Sequence, residues 1–428
     1  MYANRVSIRD YFIEQARRRS RIELPDSFDP DFLRPMRVGP CFLTSGKSIL
    51  RPDGEFVFVH TNDFAENILV GNNCFLCGCY PDGVEFNNEH VIPDWLLRYT
   101  GIANMSITLP NGCDVRYSSY KVRSCAQCNS FLSNDVEDHI SRAIKGGFES
   151  LSEFLEQNPK LVFQWLCLIY YKVHFRDFSL RYNVDHREHD APIGALYAWP
   201  NFHHIFCVSR SVLFKVLFSP GVIGTIKLFR LDDWERHGSY DYRDHWATDT
   251  MFVRIKDICI YVSFTDAEAV DHMMQNKFSR IPTHLNYIQS IEIFGDFVSA
   301  KMHFNQQHEF HSLYDPDQDD LRIIAEVADD FDWHDIDRSI RGSAQAFAFR
   351  PEFGQLTISG LSHETTFDEI ATGEVSFFPE DGDGECSFVE HHPPDDPDYA
   401  KKSLNRAVDQ EHVRAAFERL TKNFFEDD

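Results

Sequence analysis

Two Cys-x-x-Cys pairs, Cys74/Cys77 and Cys125/Cys128, stand 47 residues apart and constrain this chain more than any other feature. Each pair sends two thiolates from one tight turn toward a single ion, and two such turns complete the tetrahedron that zinc prefers. A simple zinc ribbon does not need so long a connection, so the spacing predicts a small domain threaded between the turns. The bland alternative is four ordinary buried cysteines. Eleven cysteines are an odd number, and the start MYANRVSIRDYF lacks a basic-then-apolar leader. Reduced thiols and a metal site therefore read better than a disulfide framework. Cys79 and Cys113 lie close enough in sequence to substitute as ligands.

The 428 residues, 43% hydrophobic with 38 phenylalanines, suffice for two or three folded domains. The longest apolar run, 161–171, is too short to span a bilayer. The expectation is a soluble cytoplasmic protein. A formal charge of −25 argues at first against a nucleic-acid partner, because phosphate contacts need cations. The charge is uneven, however: residues 301–428 hold 30 acidic and 11 basic side chains, so the first 300 carry a net charge of only −6.

A helix is expected from Ser7 to the basic run Arg17, Arg18, Arg19 and Arg21. That run reads equally as a phosphate clamp or as a charged helix end. GEFVFVH (54–60) reads as a strand. Val136, Ile140, Ala143 and Ile144 recur at helical steps, LSEFLEQN follows as a short helix, and Pro159 opens a longer one that is apolar on most sides. GALYAW, HHIFCVS, VIGTIKLF, MFVRI and ICIYVSF read as strands, with a helix at 266–277. Acidic stretches follow residue 311, and a last amphipathic helix is expected at 403–424. The histidine groups 203–204, 186–189 and 391–392 lack metal-protease spacing and read as surface or strand residues, and His139 as a helix-surface histidine.

Between the cysteine pairs lies NNEHVIPDWLLRY, and Asn129 follows the second pair directly. Hydrolysis of a phosphodiester needs a water, a base to deprotonate it and charge to stabilise the leaving oxygen. His90 titrates near neutrality and can take that proton. Glu89 offers a hard oxygen and Asn129 a neutral carbonyl oxygen, and Mg²⁺ commonly takes only one or two protein ligands. On a regular strand, Glu89 and His90 point to opposite sides unless the backbone bends.

CFLCG (74–78), EHVIPDWL (89–96) and CAQCN (125–129) together resemble the HNH endonucleases whose ββα-metal core is braced by a four-cysteine zinc. The likeness covers about a sixth of the chain. It implies a structural Zn²⁺ on Cys74, Cys77, Cys125 and Cys128, and a catalytic Mg²⁺ or Mn²⁺ on Glu89 and Asn129, with His90 as the base. The family more often carries Asp before the catalytic His, and its middle Asn has two candidates here, Asn104 and Asn111. Glu137 is read as an extra ligand or, with more weight, as a solvated charge. Arg98, Lys121 and Arg123 flank the motif as candidate DNA-backbone contacts.

The expected architecture is α+β: an N-terminal helix and strand segment (1–70), a zinc-stapled HNH nuclease core (71–148), a larger α+β domain (149–305) and an acidic C-terminal region (306–428). The implied activity is metal-dependent hydrolysis of DNA, with RNA as an alternative substrate. At family level the analogy is to restriction or phage-defence effectors. The rival reading is a non-catalytic zinc module that binds nucleic acid or a protein partner. The acidic region reads as solvated linker, as a surface for a protein partner or as a cover over the nuclease face.

Overall fold

A computed structural model describes residues 37–391 apart from short stretches, the longest of them 183–191, 328–336 and 379–388. The helices expected at 7–21 and 403–424 lie outside the described residues, as do residues 186–189. The protein is mixed α and β with several small sheets. It divides into two compact units, the first comprising the chain up to Ile223 together with Glu309–Glu326. The second comprises Gly224–His308 and the chain from Val327 onward. These divisions fall elsewhere than the boundaries expected at 148 and 305.

In the first unit, β1 (Arg37–Val38), β2 (Cys41–Leu43), β3 (Ile49–Leu50) and β4 (Phe56–Phe58) form an antiparallel sheet. β5 (Phe86–His90) leads through Pro93 into α1 (Asp94–Thr100). A hairpin of β6 (Ser106–Thr108) and β7 (Asp114–Arg116) follows. The chain then returns as β8 (Lys121–Cys125), antiparallel to β5 with Phe86 opposite Cys125 and His90 opposite Lys121. β8 runs directly into α2 (Ala126–Phe131), which continues through a wider helical turn into α3 (Asp138–Lys145). The predicted helical spacing of Val136, Ile140, Ala143 and Ile144 buries all four.

After α4 (Phe148–Gln157) comes α5 (Pro159–Asp177), opened by the proline as the sequence predicts. It is buried almost all round, which accounts for its lack of a polar stripe. This helix is the centre of the first unit. Tyr171 donates its hydroxyl to the Phe75 carbonyl (3.0 Å), and Tyr120 donates to Asp177 Oδ1 (2.9 Å). The first cysteine turn and the entry to β8 are therefore packed on α5, so the motif shares one core with a helix beyond residue 148.

GALYAW and HHIFCVS are helical instead of extended: Ile193–Leu196 is a 3₁₀ turn and α6 spans Trp199–Arg210. Aromatic and β-branched residues favour strands, but Phe202, Ile205, Phe206 and Ser209 fall at three- and four-residue steps and are all buried. Tertiary packing of that face decides the outcome. β9 (Val216–Phe218) pairs in parallel with Asp320–Glu326, the second strand of a hairpin begun by Glu309–Asp315.

In the second unit, Thr250–Ile255 and Ile258–Ser263 are buried along their whole length and lie within a five-stranded sheet. The predicted helix at 266–277 spans Ala269–Phe278. Phe252, Tyr261, Ile291, Phe294, Phe297, Ala344 and Phe349 belong to one core. The region after 305, expected to be an acidic appendage, thus supplies core: AQAFAF lies on the helix Arg338–Phe349, whose Ala344, Ala348 and Phe349 are buried. No helix among the described residues is long and apolar enough to cross a membrane.

Candidate metal centre and its surroundings

Cys74, Cys77, Cys125 and Cys128 come together, their sulfur atoms all within 4.8 Å of one another. Gly78 makes the first turn possible: its φ is +78°, and a Cβ there would stand 3.3 Å from the Ile68 Cδ1 methyl. The second turn is the start of α2, where Cys125 caps the helix and accepts from the Cys128 amide at 3.4 Å. The Cys79 amide donates to Cys77 Sγ and the Cys125 amide to Cys74 Sγ, both at 3.4 Å. Backbone donors of this kind favour the thiolate.

Cys77 Sγ and Cys125 Sγ lie 3.8 Å apart, far too long for a disulfide. Four sulfurs around zinc at about 2.3 Å would be separated by about 3.8 Å along each tetrahedral edge. Crowded at this distance, the four sulfurs oppose one another's ionisation. One divalent ion lets all four be thiolates at once. The donor set fits structural zinc. Cys79 and Cys113 are not among the four.

The three residues expected to do chemistry are placed differently from one another. Glu89 is buried and accepts from the Lys172 ammonium of α5 at 2.9 Å. Lys172 also donates to the His90 carbonyl at 2.8 Å, and Glu137 Oε1 lies 3.9 Å from it. Glu89 does not fit a catalytic metal ligand here, because its charge is already matched inside the fold. Glu137, weighted toward solvent in the sequence reading, is buried instead. Lys172 was not anticipated, and its apolar neighbours on α5 conceal it.

His90 is half-buried, and among the described residues its ring makes no hydrogen bond. Desolvation, helped by Lys121, holds it below its ordinary value against the opposing pull of Asp94 and Glu89. Asn129 donates through Nδ2 to Asn87 Oδ1 at 2.9 Å, a partner the sequence reading did not single out. Asn104 is exposed, whereas Asn111 shapes its own turn by accepting from the Cys113 amide at 3.0 Å.

Of the three basic candidates, Arg98 is exposed and pairs with Asp94 at 2.7 Å, and Lys121 is half-buried opposite His90. Arg123 is taken out of the DNA-contact set. Its guanidinium donates to the Asn73 carbonyl (2.9 Å) and to the Ile68 carbonyl, and it stacks 4.7 Å over Phe175. It ties the first cysteine turn to β8.

Burial pushes Glu137 up to about 7, with Lys172 pulling the other way. A carboxyl raised in the folded state contributes stability that is complete below its ordinary 4.5 and lost as pH rises through about 7. Glu137→Gln is therefore expected to flatten the decline in melting temperature between about pH 5 and pH 8. An unchanged slope in thermal scans across that range would rule out Glu137 as its source.

No family model, curated protein or solved structure matches this chain.

Proposed function

We propose that the first unit is an HNH-type endonuclease in which His90 is the general base for water attacking a DNA phosphodiester. The observation that carries the reading is the setting of His90. It ends a strand paired with β8, which runs without a break into the second cysteine turn and α2. Burial draws its imidazole below the ordinary value, and among the described residues the ring has no internal hydrogen bond, which leaves a nitrogen open to accept a proton. Lys121, directly across the ladder, places a cation beside it. Asn87 fixes the Asn129 amide and leaves its carbonyl oxygen as the neutral ligand to offer. A bound Mg²⁺ or Mn²⁺ would supply charge neutralisation at the phosphate. Glu89 has a holding role in this account, with Lys172 as its partner.

Plasmid nicking in Mg²⁺ or Mn²⁺ tests the proposal. His90→Ala is expected to lower the rate by about 10²–10⁴-fold with zinc content and fold unchanged. Equal nicking by both proteins, in preparations free of contaminating nuclease, removes His90 from the chemistry.

A second reading has its own observation. Asn129 is tied to Asn87, three residues before His90 and so about 10 Å along the strand. Such separation suits a zinc module that binds nucleic acid or a protein partner without cutting. DNA binding that persists with no nicking in either metal would identify it.

A further inference from the structure

We propose that Glu309, His311 and Glu326 form a second metal site, for a divalent first-row ion held by one imidazole nitrogen and two carboxylate oxygens. The three ligand atoms lie within 4.8 Å of one another. Strand geometry brings them together: Glu309 and His311 are two residues apart and share a face, and Glu326 sits directly opposite Glu309 in the antiparallel ladder. Two carboxylates facing each other in this way repel, and a hairpin gains nothing from that pair alone. A cation between them reverses the sign.

His311 supplies an independent observation. Its Nε2 is shut off from solvent and has no hydrogen-bond partner, although the residue as a whole is partly exposed. The atom stands 3.3 Å from Glu326 Oε1 and 3.7 Å from Glu309 Oε2. Both separations exceed the usual N–H···O range of about 2.7–3.2 Å. The shorter matches the edge of a tetrahedron built on metal bonds of about 2.0–2.2 Å, which is about 3.3–3.6 Å long, and the longer lies just beyond it. A ring nitrogen that faces two carboxylates and hydrogen-bonds to neither keeps its lone pair for a metal.

The strand that carries it is anchored from its other face. Phe310, on the other face of the strand, stacks on His204 of α6 with centroids 3.9 Å apart. Both glutamates are largely exposed, so an ion has a path to them. Three protein ligands leave a fourth position for water. One nitrogen and two oxygens suit Zn²⁺, Mn²⁺ or Fe²⁺ better than a thiophilic ion. Glu309 and Glu326 are the first and last residues of the segment that returns to the first unit. An ion there would clamp the hairpin at its open end.

The experiment is equilibrium dialysis of the full chain against micromolar Zn²⁺, followed by metal analysis, for wild type, His311→Ala and Glu326→Gln. Wild type is expected to hold one more zinc per chain than either variant, whatever the occupancy of the cysteine site. All three proteins should give the same circular dichroism, since the substituted side chains are partly or largely exposed. Zinc content in folded His311→Ala and Glu326→Gln equal to that of wild type would overturn the site.

Discussion

Cys128→Ser is expected to strip zinc from the first unit and to unfold it, the largest effect of any single substitution considered. Apparent binding energies for structural zinc are about 10–16 kcal/mol in small zinc-folded peptides, comparable with the whole stability of many domains, about 5–15 kcal/mol. Cys128 is buried on the first turn of α2, and Cys125 of the same turn ends β8. Losing the ion therefore loosens both elements that frame His90. The measurement is metal analysis beside a thermal scan, in wild type, the variant and wild type treated with a strong chelator. Wild type that purifies without zinc and melts like Cys128→Ser would remove the staple from the account.

Lys172→Met is expected to destabilise the first unit by about 3–5 kcal/mol, because it leaves a buried carboxylate without its partner. The ammonium is almost wholly buried and is shared between Glu89 and the His90 carbonyl. Removing the carboxylate charge as well should recover part of the loss, so Lys172→Met with Glu89→Gln is expected to be more stable than Lys172→Met alone. Urea midpoints of wild type, both single variants and the pair give the coupling directly. A loss below about 1 kcal/mol for Lys172→Met would place the pair in the class of weak, solvent-screened contacts.

The four cysteines were legible in the sequence because zinc ligands come as two short-range pairs, each written within four consecutive residues. EHVIP is likewise a local pattern, and the structure places its His90 at the end of β5. Asn87 was not legible, since its contact with Asn129 depends on strand register across 42 positions. Lys172 was hidden by its surroundings: a lysine within an apolar helix reads as a break in the pattern until another element supplies a carboxylate. The helix Trp199–Arg210 was misread because β-propensity reflects fit to a half-buried surface more than a backbone preference. The division into units escaped altogether. Composition marks where charge changes, and here the acidic region beyond 305 contains core residues such as Ala344 and Phe349.

The late return of Glu309–Glu326 to β9 has a bearing on biosynthesis. While the ribosome has delivered only the first 223 residues, Val216, Leu217 and Phe218 of β9 lack their strand partners Leu321, Arg322 and Ile323, which are about a hundred codons away. An unpaired strand of that composition is a template for association with other nascent chains. The zinc turns, by contrast, can close early, since every ligand has been translated by residue 128. Assembly is therefore expected to be staged, with the cysteine turns free to close first and β9 paired only after most of the second unit's strands have been made. A shortened gene product ending near residue 223 would keep its zinc ligands and still be prone to aggregate.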